Sequence, residues 1–202
     1  MRIALIGKSG KMGKVLAELI EEDPTLSLSD DPSDVVIDFS SPEGTLAAIA
    51  LDKPLVCGTT GLSEETMELL KDLSLRVPVL YSPNFSLAVA ALFEICEGIG
   101  CKLATLGETT IEEIHHTEKK DSPSGTALKL AALLKIDPTL ITAKREGSTT
   151  GIHKLKFLLN DEELEIRYEA YSRKAYARGA LAAAKFIYQK PPGFYPLNQI
   201  FH

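Results

Sequence analysis

The residues able to do chemistry crowd into one stretch, Glu113 to Ala127, which reads E-I-H-H-T-E-K-K-D-S-P-S-G-T-A. It holds two histidines, two lysines and a Ser-Gly-Thr that opens a helix. An imidazole titrates near neutrality and can give up a proton at physiological pH. A helix start presents free N–H groups, and the positive end of its dipole, to an anion. These parts suit an anionic substrate that is protonated as it reacts. If residues 109–116 are extended, His115 and His116 point to opposite faces, because side chains alternate along a strand. That makes a poor metal pair, since zinc would take alternate strand residues, and no metal is expected. The two imidazoles are expected to have separate roles, one as a proton donor and one as a hydrogen-bond donor. Lys119 adds a cation four residues after His115. Ser124, Gly125 and Thr126 offer a cap and N–H groups to a carboxylate.

The flanking sequence must position this motif. Arg2 to Ile6 is an apolar run ending in Gly7, and Met12, Val15, Leu16, Leu19 and Ile20 follow at helical spacing. Residues 35–39, 54–57 and 77–81 are further apolar runs with few polar breaks, as expected of strands covered on both faces. Ser41 before Pro42 and Glu43, and Ser63 before Glu64 and Glu65, read as helix caps. This alternation predicts an α/β fold with a Rossmann-like, doubly wound parallel sheet. After Asn84 the pattern changes. A helix is predicted over 86–99, a strand over 109–114 and a helix over 127–134. A hairpin is predicted to pair 154–159 with 164–170 across Asn160-Asp161, with one face wet or against another subunit. A helix over about 175–189 leads into a Pro-Pro-Gly tail. Two domains are expected, the second α+β.

Gly7-Lys8-Ser9-Gly10-Lys11-Met12-Gly13 is G-x-x-G-x-x-G, which departs from G-x-G-x-x-G in its first spacing but sits between a strand and a helix. A close backbone turn at a helix start suits a pyrophosphate, with Lys8 and Lys11 adding charge. An acid about 20 residues on would meet the adenosine ribose, and Asp30 or Asp31 is placed for it. Only five residues join Ser29 to Val35, too few for a crossover helix, so a strand and helix of the usual half-fold are expected to be missing. Gly58-Thr59-Thr60-Gly61 follows a strand at the edge where parallel sheets bind ligands, and its hydroxyls could face a nicotinamide ring. Ser82-Pro83-Asn84-Phe85 ends the last strand of the first half, at a domain junction.

Composition narrows the classes. The chain has 202 residues and a net charge of -6, without the basic excess of a nucleic-acid binder. No apolar run nears the ~20 residues that cross a bilayer, and no signal-peptide-like region precedes the first strand, so a cytoplasmic protein is expected. Cys57, Cys96 and Cys101 lack metal or redox spacing and are expected to be buried free thiols.

The sequence resembles the dihydrodipicolinate reductases of the diaminopimelate branch of lysine biosynthesis over nearly its whole length. The resemblance rests on the histidine motif above, which is highly specific. It also rests on G-K-S-G-K-M-G-K at 7–14, V-I-D-F-S-S-P-E-G-T at 36–45, G-T-T-G at 58–61, N-F-S at 84–86 and S-R-K-A-Y-A-R-G-A at 172–180. What it implies is a Rossmann domain of residues 1–85 with about 173–202, and an inserted domain of 86–172 for substrate binding and oligomerisation. It further implies a homotetramer built through the inserted domain's sheet, NADH or NADPH as reductant, and a small dicarboxylate substrate. By position, His115 would be the catalytic acid/base, Lys119 a second proton donor, and His116, Gly125 and Thr126 substrate contacts, with Ser124 at the same helix start. Gly7 to Met12, Gly58 to Thr60 and Ser82 to Phe85 would line the cofactor. Ala88 stands where the family commonly has glycine, and the ribose-end segment and residues 151–164 are compressed. The rival expectation is a nucleotide-binding sensor of the same fold without turnover, and a metal-dependent hydrolase is third.

Overall fold

The computed structural model describes residues 1–202. They divide into two units, Met1–Leu87 with Arg173–His202, and Ala88–Ser172. In the first unit β1 (Arg2–Ile6), α1 (Lys11–Glu22), β2 (Ser27–Leu28), β3 (Val35–Asp38), α2 (Pro42–Ile49), β4 (Leu55–Cys57), α3 (Glu64–Ser74) and β5 (Pro78–Tyr81) follow in order. Next come α4 (Leu87–Ile95), a π turn at Cys96–Gly100, α5 (Cys101–Leu103), β6 (Glu108–His115), α6 (Gly125–Leu134), β7 (Ile141–Arg145), β8 (Ile152–Leu159) and β9 (Glu162–Glu169). The chain then returns to the first unit with α7 (Lys174–Ile187) and β10 (Gly193–Tyr195).

The first sheet is wholly parallel, in the order β10-β5-β4-β3-β1-β2. Every residue of β3 and β4 is buried, because helices cover both faces. Ala4, Val36, Leu55, Cys57 and Val79 pack with Ala48, Leu70 and Leu73 of α2 and α3. The alternate residues Ile3, Leu5, Ile37, Val56 and Leu80 are buried on the other side, where α1 and α7 lie. Each such aliphatic side chain contributes about 1.5–3 kcal/mol. Ser41 and Ser63 cap α2 and α3 by accepting from the N–H groups of Gly44 and Thr66.

The abbreviated segment is plain in the register. Leu28 of β2 is level with Ile3, and Val35 of β3 is level with the same Ile3 on the other side of β1. The connection therefore passes under the amino end of β1, where Asp34 accepts from the backbone and guanidinium of Arg2. Asp31 lies 3.4 Å from Lys53 at the start of β4. No helix intervenes, and no strand lies beyond β2.

The second sheet runs β7-β6-β8-β9, with β6 and β7 parallel and the other pairs antiparallel. One face is buried and carries Thr109, Ile111, Glu113 and His115 of β6, His153, Leu155 and Phe157 of β8, and Tyr168 of β9. Helix α6 packs on β6. The other face is charged. Glu112 there is bound by Lys144 and, at 2.7 Å, by Lys154. A turn with Asn160 in the left-handed region (φ 52°) joins β8 to β9.

Three features depart from the sequence expectation. The helix predicted over 86–99 ends at Ile95 and passes into the π turn, where Gly98 and Gly100 weaken a regular helix. Strand β7 was not predicted. The Pro-Pro-Gly tail includes β10, which pairs with β5 and widens the first sheet to six strands. Cys57 and Cys96 are buried free thiols pushed up to about 12 chiefly by burial, while Cys101 is half-exposed. No helix is long and apolar enough to cross a membrane.

Candidate active site

In the first unit the glycine turn is built by close contact. Gly7 has φ 85°, and a Cβ there would lie 2.4 Å from the carbonyl oxygen of Phe39 at the end of β3. A Cβ on Gly13 would lie 2.1 Å from the carbonyl oxygen of Gly7, so only glycine lets α1 start this close to the turn. Gly10 begins α1 with no side-chain cap. Lys8, Ser9, Gly10 and Lys11 are exposed and Met12 is half-buried. The open N–H groups at the start of α1 thus lie beside two lysines, a cradle that fits a pyrophosphate.

Around it the carboxyl edge of the sheet is organised by Asp38, which is fully buried. Its carboxylate accepts from Ser40 Oγ, from Thr45 Oγ1 at 2.6 Å, from Thr59 Oγ1 at 2.9 Å and from Cys57 Sγ at 3.5 Å. Thr59 Oγ1 also accepts from the N–H of Ser40. The hydroxyl of Thr59 is therefore spent on the fold, contrary to the expectation that it faces a nicotinamide, whereas Thr60 is exposed beside Gly58. The Ser82–Phe85 turn is likewise self-satisfied. Ser82 Oγ donates to the carbonyl of Asn84, and Asn84 Oδ1 accepts from the N–H of Ser86. Pro83 is exposed, and Phe85 is core, 5.4 Å from the Phe39 ring. Asp30 is exposed. Asp31 lies against Lys53, which precedes β4, at the amino end of the sheet and away from the glycine turn at its carboxyl end.

In the second unit the strand places His115 on the buried face, 8% exposed, and leaves His116 half-buried just past the strand end. His116 closes a turn, its carbonyl accepting from the N–H of Lys119. Lys119 Nζ is 2.7 Å from Asp121. Ser124, buried, caps α6 by accepting from the N–H of Ala127, and Gly125 and Thr126 form the first turn. Lys119 and the N–H groups of Asp121 and Gly125 hold the Asp121 carboxyl below its usual range. That helix start therefore already stabilises one carboxylate.

Three residues that carried no role in the sequence reading complete the cluster. Glu113, fully buried, accepts from the N–H of Ser124 at 2.9 Å and from Arg145 at 3.2 Å. Its second oxygen lies 3.4 Å from His115 Nδ1. His153 stands opposite Glu113 in the β6–β8 register, its ring 5.3 Å from that of His115 and 6.0 Å from that of Tyr168. Burial pushes His153 down to about 4. Burial also pushes His115 below its ordinary value, opposed by Glu113 and reinforced by Lys119 and Arg145. Burial alone would raise Glu113, yet the bonds from Ser124 and Arg145 and the nearby His115 hold it below the usual carboxylate range. The alternation His153, Leu155, Phe157 was a readable sign of a buried histidine; Arg145 on the edge strand gave none. Glu113, His115 and His153 bring one ligand atom each within 4.8 Å. Arg145 and Lys119 already supply positive charge there, which opposes a divalent cation.

Residues 25–85 match the family described as dihydrodipicolinate reductase, N-terminus, and residues 88–201 the one described as dihydrodipicolinate reductase, C-terminus. A 4-hydroxy-tetrahydrodipicolinate reductase of Thermosipho africanus is 38% identical over 213 residues, covering 99% of this chain and 97% of its own. One of Bdellovibrio bacteriovorus is 36% identical over 221 residues, covering 99% and 96%. Among solved structures, a dipicolinate-bound dihydrodipicolinate reductase from Paenisporosarcina sp. TG-14 has the same fold, with a TM-score of 0.79 at 18% identity and 99% of each chain covered. An engineered D-amino acid dehydrogenase bound to NADP+ shares the fold more distantly, with a TM-score of 0.58 at 11% identity, covering 98% and 93%. By sequence over both of its parts, the chain belongs to the dihydrodipicolinate reductase family.

Proposed function

We propose that the chain is a 4-hydroxy-tetrahydrodipicolinate reductase, reducing a cyclic imine dicarboxylate to tetrahydrodipicolinate with NADH or NADPH in the diaminopimelate and lysine pathway. The observation that carries this reading is the gathering of His115, Lys119 and the start of α6 at one end of the second sheet, within a chain of that family. The glycine cradle fits the cofactor, since the absence of a Cβ at Gly7 and Gly13, where one would strike the backbone of Phe39 and of Gly7, lets the turn close on the start of α1 and leaves its N–H groups open to a pyrophosphate. Gly7 to Met12 would hold the pyrophosphate, with Gly58 to Thr60 and Ser82 to Phe85 along the same cofactor; Asp38 fixes the Thr59 turn. When bound, the reduced nicotinamide supplies a hydride.

What the chain must add is a proton, a place for two carboxylates and an environment that favours negative charge. One substrate carboxylate is assigned to the start of α6 at Gly125 and Thr126, where Ser124 fixes the first turn, taking the place of the Asp121 carboxylate that Lys119 and Gly125 hold in the free protein. His116 donates a hydrogen bond. His115 gives the proton that quenches charge developing toward the ring nitrogen, with Lys119 as the second donor. In the free protein burial favours the neutral form of His115, with Glu113 opposing. An arriving dianion favours the imidazolium, so substrate binding itself loads the acid. We assign a homotetramer formed through the second sheet. The three free cysteines accord with a reducing compartment, the cytoplasm.

The test is NAD(P)H absorbance with enzymatically generated substrate. Steady oxidation is expected, and His115→Gln should lose about 10²–10⁴ in turnover. A folded His115→Gln protein within tenfold of the parent would remove His115 from its role. Cofactor binding with no turnover in the parent would make the chain a sensor.

A further inference from the structure

Besides the strand that carries the proton donor, one buried side chain touches both halves of the substrate site. Glu113 Oε1 accepts from the N–H of Ser124, the residue that caps α6. Glu113 Oε2 faces His115 Nδ1 at 3.4 Å, just beyond hydrogen-bond geometry, and neither of these two buried atoms has a hydrogen-bond partner. Were Nδ1 unprotonated, two lone pairs would oppose each other away from water, which costs the full desolvation of both groups. A proton on Nδ1 removes that conflict and leaves Nε2 as the working nitrogen.

We propose that Glu113 is the positioning residue of the site: it holds His115 as the Nδ1–H tautomer, presents Nε2 to the substrate, and ties the proton donor to the carboxylate-binding start of α6. This deepens the proposed reductase reading and rests on His115 as the acid. The geometry forms locally, because Glu113 and His115 are two residues apart on one face of β6. The carboxylate cannot swing away, being fully buried and bridged to Arg145 of β7, which also donates to the carbonyl of Asp121. The other groups facing His115 are Arg145 of β7, His153 of β8, Lys119 and Asp121 of the loop, and beyond His153 the phenol of Tyr168 on β9. Among these only Glu113 and Asp121 favour the imidazolium, and Glu113 is the stronger. The contact is longer than a good hydrogen bond, as catalytic contacts often are before substrate binds.

Two measurements test it. Histidine ring nitrogens labelled with ¹⁵N in the intact protein above pH 8 should show His115 as the Nδ1–H tautomer, its signals assigned by their absence in His115→Gln. The Nε2–H tautomer would overturn the proposal outright. Glu113→Gln keeps the shape and removes the charge. It should lower turnover by about 10²-fold, by analogy with residues that orient a functional imidazole. It should also move the high-pH fall of kcat to lower pH, since the carboxylate no longer favours the imidazolium. Glu113→Asp, which keeps the charge, should restore part of that pH dependence. A merely structural glutamate would leave the profile where it was. A folded Glu113→Gln enzyme with parental turnover and pH profile would refute the proposal. Should Glu113→Gln fail to fold, the tautomer in the parent protein decides. A loss under tenfold in His115→Gln refutes the acid assignment separately, while the tautomer still reports on Glu113.

Discussion

Replacing His153 with leucine should make the protein less sensitive to acid, by an amount that follows from the buried face of the second sheet. His153 is 3% exposed, between the His115 and Tyr168 rings, and burial lowers it from an ordinary 6.5 to about 4. In the unfolded chain the imidazole takes up its proton near 6.5, whereas the folded protein resists until about 4. Between those values the unfolded state binds more protons, so stability is full above 6.5 and falls as pH drops toward 4. At about 1.4 kcal/mol per pH unit the whole window is worth about 3 kcal/mol, of which about 2 kcal/mol is lost between pH 7 and pH 5. For a chain of this size that is about 4–8 °C in Tm. Urea unfolding of the parent and His153→Leu at both pH values isolates the effect, because any packing cost of leucine is the same at each pH and cancels. The measured difference includes the coupling of His153 to His115, whose charge lowers His153. Asp34 does not interfere. Its bond from Arg2 holds it to about 2, so its contribution is lost only as pH falls below 3.8. Equal losses in parent and variant between pH 7 and 5 would refute the reasoning.

Two further predictions concern the first unit. Gly13→Ala should weaken NADH and NADPH binding by at least about tenfold, because its Cβ would lie 2.1 Å from the Gly7 carbonyl oxygen and must push α1 off the turn; titration calorimetry reads this, and unchanged affinity would show that the turn does not hold the cofactor. Asp38→Asn should cost about 1–3 kcal/mol in urea unfolding, since four donors converge on that carboxylate and an amide cannot accept from all of them; a stability equal to the parent's would contradict it.

What was legible in the sequence was local. The unbroken apolar run at Val35–Asp38 announced a strand covered on both sides, and Ser41 and Ser63 marked helix starts that the structure caps as read. The split of His115 from His116 followed from alternation alone. What escaped depends on pairing with distant segments. β7 has no fully buried residue, and β10 is three residues after two prolines; each exists because β6 or β5 offers it an edge. Arg145 and His153 reach Glu113 only through those registers, separated from it by 32 and 40 positions in the chain. The hydroxyl of Thr59 illustrates the converse: its motif was legible, but its donor had already been claimed by Asp38.

The hairpin turn at Asn160 has a meaning beyond strand reversal. Side chains alternate along β8 and β9, so a slip of one residue at this turn would set Arg167 or Glu169 in place of Tyr168 opposite His153. The left-handed residue at the tip, seven positions from His153, thus decides which side chain of the last strand covers that buried imidazole.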